Sequence, residues 1–286
     1  MGILIKILKI FILFPLYTYR THQRLEVLKV TVWRLKRLVE LSSPEIPCVI
    51  PEGFQPRHPH NLRRLGGDSD GGYLVTEEAL RSTQVLVSYG IDFDWEFERA
   101  FSESSGAKIF AYDRSTVDRL AEADEHARLR FHRFFDGKRA TFRAAFIGNG
   151  ELGTVRIAET LREHAGERVL IKFDIEGAEY APGIFEELLS LPGNVIGVIA
   201  EFHAFPDNLD RVRKLISSNR LHLVHLHVNN AGGISDNLVP NLVEMTLLRE
   251  SYFQPSGGKP TYPLNLDRPC RTSQRDMRLH FEGWNS

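Results

Sequence analysis

The sequence predicts an α/β protein whose parallel sheet carries helices on both faces. Three observations lead there. Short apolar runs alternate with helix-forming segments from Val85 to about residue 250, the pattern of repeated strand-helix-strand units. The runs are near-continuously apolar, as strands covered on both faces are. They also end abruptly in polar residues, and open α/β sheets bind their ligands just beyond strand carboxyl ends.

Residues 3–18, ILIKILKIFILFPLYT, are apolar but interrupted by Lys6, Lys9 and Pro15. A membrane span needs about 20 apolar residues, and Arg20 and Arg24 follow where a small-residue cleavage site would stand. Two readings stand for this segment: a basic, apolar helix lying in the interface of an anionic membrane, or a helix packed on the body or on a second subunit. A second helix over residues 24–41 aligns Leu25, Leu28, Val32, Leu35 and Val39 on one short seam, suited to docking or to a homo-oligomer contact. Residues 1–42 thus form an N-terminal helical extension. Pro44, Pro47, Pro51, Pro56 and Pro59 mark a linker over residues 43–59.

The α/β domain is expected over residues 60–250. In residues 63–75, RRLGGDSDGGYLV, the Asp70-Gly71 pair supplies a tight hairpin turn between short strands. The strand VLVSYG (85–90) follows, then a helix from about Asp94, the strand KIFAYD (108–113) and a helix from about Ser115. Next come a strand RFHRFF (130–135), the segment FRAAFIG (142–148), a helix from about Thr154, the strand VLIKFD (169–174) and a helix from about Glu179. The series closes with VIGVIAEFH (195–203), a helix from about Asp207, HLVHLHV (222–228) and LVEMTLL (242–248). The last two runs have no helix between them, which predicts an antiparallel hairpin at one sheet edge. Residues 251–286, rich in Pro and Gly, read as an irregular tail.

At 286 residues with 42% hydrophobic and 26% charged residues, the chain suits one large domain with a modest extension. Its net charge of -1 hides an asymmetry, because residues 1–40 hold eight Lys/Arg against Glu26 and Glu40. The remainder is acidic, which argues against nucleic acid as the main partner. Cys48 and Cys270 lie far apart without metal-ligand spacing, so neither a zinc site nor a disulfide framework is indicated; an occasional bridge is left open. Few cysteines and no clear export signal favour a cytoplasmic protein, loosely associated with the inner membrane face.

The densest chemistry lies in residues 169–179, VLIKFDIEGAE. Asp174 and Glu176 sit where an apolar strand ends, and a carboxylate there needs a cation, a donor or a protonated substrate group to offset its desolvation. Glu179 reads as a first-turn acid of the next helix. Gly90 and Asp92 end an earlier strand at a turn suited to a nucleotide-type ligand, and Asp113, one element later, is placed either to bind ribose hydroxyls or to cap a helix. Glu201 and His203 share one strand face, as do His225 and His227. Imidazole is the natural base for a hydroxyl proton, and Glu201, His203 and His227 together are a candidate divalent-metal set.

The D-x-E-G-x-E run of Asp174, Glu176, Gly177 and Glu179 resembles the hallmark of the FkbM-type family of S-adenosylmethionine-dependent methyltransferases. The DGGY run at 70–73, the Ser88-Tyr89-Gly90 strand end, Asp113 and the HVNN run at 227–230 support the likeness, over residues 61 to about 250. The resemblance implies a Rossmann-like class I methyltransferase fold, with a seven-stranded mostly parallel sheet in which the strands ending at Asp174 and Glu201 are neighbours. It also implies S-adenosylmethionine as cofactor and O-methylation of a sugar, glycan or other small hydroxylated acceptor. Gly90, Asp92, Asp113 and Asp174 would then meet the cofactor. His203 would act as base, with Asp174, Glu176 and Glu201 orienting the acceptor or holding a divalent metal. The family's glycine-rich loop is reduced here to Gly90 with Asp92.

Two other readings fit some residues. Asp92-Phe93-Asp94 has the D-x-D spacing of a metal-dependent glycosyltransferase, and a membrane-tethered binding protein that has lost catalysis would explain the reduced glycine loop.

Overall fold

The computed structural model describes residues 46–151 and 153–284; the helical extension expected over residues 1–42 lies outside the described residues. In chain order the strands are β1 (Ile46–Ile50), β2 (Leu62–Leu65), β3 (Tyr73–Thr76), β4 (Val85–Tyr89), β5 (Lys108–Tyr112), β6 (Ala140–Arg143), β7 (Phe146–Ile147), β8 (Thr154–Val155), β9 (Val169–Phe173), β10 (Val195–Phe202), β11 (His222–Val228), β12 (Val243–Leu248) and β13 (Met277–Phe281). The α-helices described are α1 (Glu77–Ser82), α2 (Glu96–Ser105), α3 (Ser115–Glu122), α4 (Glu125–Phe134), α5 (Ile157–Arg162), α6 (Ile184–Leu188) and α7 (Leu209–Ser218).

Seven strands form one sheet in the order β11-β12-β10-β9-β4-β5-β6. Strand β12 runs antiparallel to both neighbours, and the pairs from β10 to β6 are all parallel. This is the class I methyltransferase sheet that the D-x-E-G-x-E resemblance implies. The expected closing hairpin is present, with the refinement that β12 inserts between β10 and β11 and leaves β11 at the edge. The chain reverses its direction of travel across the sheet between β4 and β9, the place where open α/β sheets leave a crevice for ligands.

Strands β4, β9 and β10 are buried along their whole length. Each fully buried Val, Leu or Ile contributes about 1.5–3 kcal/mol, so these runs hold the sheet while polar residues collect at their ends. Alternate side chains divide between two cores. Val85, Val87, Val169 and Ile171 pack with Ile157, Leu161, Ile184 and Val212 of α5, α6 and α7. Leu86 and Leu170 face the other way, onto the β2–β3 hairpin and onto Leu80, Phe97 and Phe101 of α1 and α2.

Several elements differ from the sequence expectation. RFHRFF is the end of α4, not a strand. Asp124 caps that helix by accepting the Ala127 N–H at 2.7 Å, and Phe131 packs into an aromatic cluster with Trp95 and Phe142. The edge strand β6 begins later, at Ala140. Thr154 belongs to a two-residue bridge with Phe146, and α5 starts at Ile157. Residues 178–180 form a single 3-10 turn ahead of α6. The β2–β3 turn is a seven-residue loop with Gly66 and Gly71 at positive φ, not a two-residue turn.

The expected linker and tail are both ordered against the body. β1 pairs in parallel with β13, Cys48 opposite Leu279, and Cys48, Ile50 and Phe54 are wholly buried. Prolines kept the chain extended there, but extended chain with alternating burial is also what an added strand requires.

Candidate active site

The strand ends of β4, β5, β9 and β10 surround a cleft of about 730 Å³, lined by Gly90, Asp92, Asp113, Lys172, Asp174, Glu176 and Glu201 among others. Gly90 sits at φ +77°, and a Cβ there would stand 1.6 Å from the Asp174 carbonyl oxygen. Only glycine allows the ends of β4 and β9 to approach this closely. The Asp174 N–H donates to the Tyr89 carbonyl at 3.0 Å and the Gly90 N–H to that of Tyr112 at 3.0 Å. The predicted cofactor turn is therefore locked to both neighbouring strands.

Asp113 follows β5 and is nearly buried. Its Oδ2 accepts the N–H groups of Ile91 and Asp92 at 2.9 and 2.7 Å and the Thr116 hydroxyl at 3.2 Å; its Oδ1 accepts the N–H and hydroxyl of Ser115 at 2.7 and 2.6 Å. Burial works against the charged form, yet these donors outweigh it and hold the carboxyl below its ordinary range. Asp113 is thus the organiser of the 91–92 turn and the anchor of α3, with its lone pairs taken by the chain. Asp92, at φ +34°, is half exposed at the rim and pairs with Arg119 at 3.1 Å. Asp94 accepts the Glu96 N–H at 3.0 Å at the start of α2. The two carboxylates of the D-x-D run therefore serve different partners.

On the other wall, polar residues continue across the sheet in one row. Glu201 on β10 lies opposite Glu244 on β12, and Glu244 opposite His227 on β11. Asp174 precedes them in the row, since Phe173 pairs with Ala200. Beneath it runs Lys172, a cation inside a buried strand that the sequence reading passed over. A lone lysine in an apolar run is itself a signal, because a buried charge must find partners. Its ammonium donates to the Gly90 carbonyl, stands 3.9 Å from Asp174 Oδ2 and lies 5.8 Å from the centre of the Tyr73 ring. Burial opposes its charge, but Asp174, Glu98 and Glu201 raise its proton affinity.

One cation cannot offset all of these acids. At about 4 Å and an effective dielectric of about 20, two like charges repel by roughly 4 kcal/mol. Lys172 and the Tyr73 hydroxyl, 3.2 Å away, serve Asp174. Glu201 is left buried beside Asp174 and Glu244, held mainly by Asn229 Nδ2 at 2.6 Å. Burial first and those two carboxylates second push its carboxyl up to about 10, so it is protonated at neutral pH. A hydrogen bond to Asp174 adds to the same effect, so the proton on Glu201 serves the neighbouring carboxylate.

His203 follows β10. Its Nδ1 lies 2.8 Å from Glu179 Oε1, which also accepts the His203 backbone N–H at 2.7 Å, and its Nε2 stands 3.5 Å from Glu176 Oε2. Glu179 is the acid of a first turn, that of the 3-10 element, but it is wholly buried and its partner is the His203 imidazole, which it fixes. Burial disfavours the imidazolium, but the Glu179 bond and the charges of Glu179, Asp174 and Glu176 raise the proton affinity of His203 above the usual value. Glu176 itself, at φ +56°, is largely exposed.

The predicted metal set is divided by the structure. Asp174, Glu201 and His203 bring ligand atoms within 4.8 Å of one another, whereas His227 groups with Glu244 and Cys270. Strand β12 stands between β10 and β11 and separates the two groups. The remaining HVNN residues are supports. Asn229 holds Glu201, and Asn230 accepts the Arg271 N–H at 2.8 Å and donates to its carbonyl at 3.0 Å. His225 pairs with Asp267 at 3.0 Å, both buried. No helix among the described residues is long and apolar enough to cross a membrane.

A scan of protein-family models finds no match, and no curated protein matches the chain. Among solved structures, the chain is similar to an uncharacterized protein from Listeria monocytogenes serotype 4b (15% identity, 65% of this chain and 68% of the other, TM-score 0.35). It is similar to a precorrin-6y C5,15-methyltransferase from Geobacter metallireducens GS-15 (12% identity, 59% and 84%, TM-score 0.35). A third is Aeropyrum pernix fibrillarin in complex with natively bound S-adenosyl-L-methionine (10% identity, 67% and 84%, TM-score 0.33). It is the strand order described above that assigns the fold.

Proposed function

We propose that the chain is an S-adenosylmethionine-dependent O-methyltransferase of the FkbM type, acting on a hydroxyl of a sugar, glycan or other small acceptor. The observation that carries this reading is the meeting of Asp174, Glu201 and the His203–Glu179 pair at the strand ends facing the Gly90 turn. The cofactor, when bound, supplies an electrophilic methyl group on a cationic sulfur.

The residues fit such a group. Gly90 and Asp174 both line the cleft, where the Asp174 carboxylate suits an ammonium or hydroxyl donor. Because Asp113 is spent on the turn, Asp92 is the carboxylate left to meet ribose hydroxyls; its exposed pair with Arg119 is weak enough to exchange. An acidic wall attracts a sulfonium and disfavours phosphate-bearing acceptors.

His203 takes the acceptor's proton. With Nδ1–H donated to Glu179, Nε2 is the free basic nitrogen, which is the tautomer a general base needs. Asp174, held by neutral Glu201, and Glu176 accept from acceptor hydroxyls, so positioning and proton removal are supplied by one strand-end cluster. In the metal-assisted version, Asp174, Glu201 and His203 hold a divalent ion and Glu179 orients the ligating imidazole. Activity that survives exhaustive chelation discards that version.

Calorimetric titration with S-adenosylmethionine, S-adenosylhomocysteine and nucleotide sugars tests the reading. Binding of the first two is expected. Binding of a nucleotide sugar alone favours a glycosyltransferase, and binding of none favours a non-catalytic protein tethered through residues 1–42. His203→Ala should cut turnover by about 10²- to 10⁴-fold while leaving S-adenosylhomocysteine affinity unchanged. Peripheral contact with the inner membrane face through residues 1–40 is part of the proposal. Equal liposome sedimentation with and without residues 1–42 discards it.

A further inference from the structure

His227, Glu244 and Cys270 come from three separate parts of the chain and meet in the interior, all three buried. Their ligand-capable atoms lie within 4.8 Å of one another. Cys270 Sγ is 3.3 Å from Glu244 Oε1, and His227 Nδ1 is 3.0 Å from Glu244 Oε2. On its other side His227 Nε2 has no hydrogen-bond partner, although the ring is only 2% exposed. The nearest acid to that nitrogen is Asp276 Oδ1 at 3.6 Å, too far for a good bond. One thiol, one imidazole and one carboxylate therefore converge on a single buried position.

We propose that His227, Glu244 and Cys270 bind one zinc ion that fastens the C-terminal segment to the sheet. Zinc takes nitrogen, sulfur and oxygen ligands together, the mixture that these three side chains offer. The donor set suits it better than magnesium or calcium, which take oxygen ligands only. Two of the ligands lie on the β11–β12 hairpin and one, Cys270, lies in the segment leading into β13, so the ion joins the sheet edge to the segment that leads to the strand paired with β1. The sequence hid the site because its donors are spread over residues 227 to 270 without the paired-cysteine spacing by which such sites are read. It is a different place from the Asp174–Glu201–His203 group, so it stands whether or not the methyl-transfer reading does.

The test uses the untagged full chain purified without chelators. Elemental analysis should find about one zinc per chain, retained on dialysis. Cobalt substitution should give a thiolate-to-metal charge-transfer band. Chelation should lower the melting temperature of the wild-type chain, and zinc should restore it. Cys270→Ser and His227→Gln should each lose the metal, while Asp174→Asn keeps it. Should either variant fail to fold, the wild-type cobalt spectrum and the chelator shift decide alone. A wild-type chain with no stoichiometric zinc and no thiolate band overturns the proposal, as does zinc retained in full by both folded variants.

Discussion

The imidazole of His203 and the carboxylate of Glu179 are joined at 2.8 Å, and the same oxygen takes the His203 backbone N–H. A wholly buried carboxylate bound twice by one residue sets both the position and the tautomer of that residue. In the proposed reaction this pair is the feature on which proton transfer depends.

Glu179→Gln keeps the shape and removes the charge. Turnover should fall about 10- to 100-fold, with S-adenosylhomocysteine affinity unchanged. The pH dependence carries the sign. His203 in the wild type is raised above its ordinary value, so turnover rises as pH climbs through that raised value and the base is freed. In the variant this limb should move toward lower pH. Stability follows the same residue: a histidine raised on folding stabilises the fold below its unfolded value and loses that contribution as pH rises through the folded one. Melting temperature against pH should therefore fall less steeply above neutrality in Glu179→Gln. An unmoved activity limb would show that His203 is not the titrating base.

Glu201 is pushed up to about 10 by burial and by Asp174 and Glu244. An acid raised on folding stabilises the native state below its unfolded value and loses that contribution as pH rises toward the folded one. At neutral pH the protein carries this cost. Glu201→Gln, which mimics the neutral acid and keeps an acceptor for Asn229, should raise the melting temperature at pH 7 by about 2–4 °C for each kcal/mol recovered. Activity should persist if Glu201 only donates a hydrogen bond, and should vanish if Glu201 ligates a divalent ion. Thermal melts and an initial-rate assay on the one variant distinguish the two.

The strand ends were the most legible part of the sequence. The runs ending at Gly90, Asp113, Asp174 and Glu201 all border one cleft, because apolar continuity and a polar stop are dictated by burial and by the position of the ligand crevice. What escaped was pairing across long separations. Glu179 reads as a first-turn helix acid, yet its partner His203 lies 24 residues on. Asp113 stands at the spacing of a ribose ligand, and nothing local encodes that its carboxylate also accepts the Ile91 and Asp92 amides. RFHRFF was taken for a strand because a short apolar run has no decisive period, and only the Asp124 cap marks it as helix. The β1–β13 pair joins residues some 230 positions apart, and no local pattern encodes that partner.

Gly90→Ala tests how tightly the two wall strands must meet. The added methyl would overlap the Asp174 carbonyl, a backbone atom that cannot step aside without breaking the bond to Tyr89. Overpacking costs about 1–3 kcal/mol, and positive φ adds about 1–2 kcal/mol for a residue with a Cβ. The variant should lose roughly 3 kcal/mol of stability in urea unfolding and should bind S-adenosylhomocysteine at least 10-fold more weakly. A variant of unchanged affinity would show that the Gly90 turn does not face the cofactor.

Asp113 separates a binding role from a scaffolding one. Its carboxylate accepts backbone N–H groups from Ile91, Asp92 and Ser115, so Asp113→Ala leaves buried donors unpaired at a cost of about 1–3 kcal/mol. Since the folded carboxyl is held below its ordinary value, its contribution is present above the unfolded value and lost as pH falls through the folded one. The wild-type chain should thus lose stability more steeply than the variant between about pH 4 and lower pH. Cofactor binding should weaken through loss of the turn, which Asp92→Asn isolates by leaving the turn amides paired to Asp113. If Asp92 meets the ribose, Asp92→Asn lowers S-adenosylhomocysteine affinity without moving the melting temperature. If Asp113 meets it directly, Asp92→Asn leaves affinity unchanged, and the lone pairs now bound to the turn must exchange partners when the ligand enters.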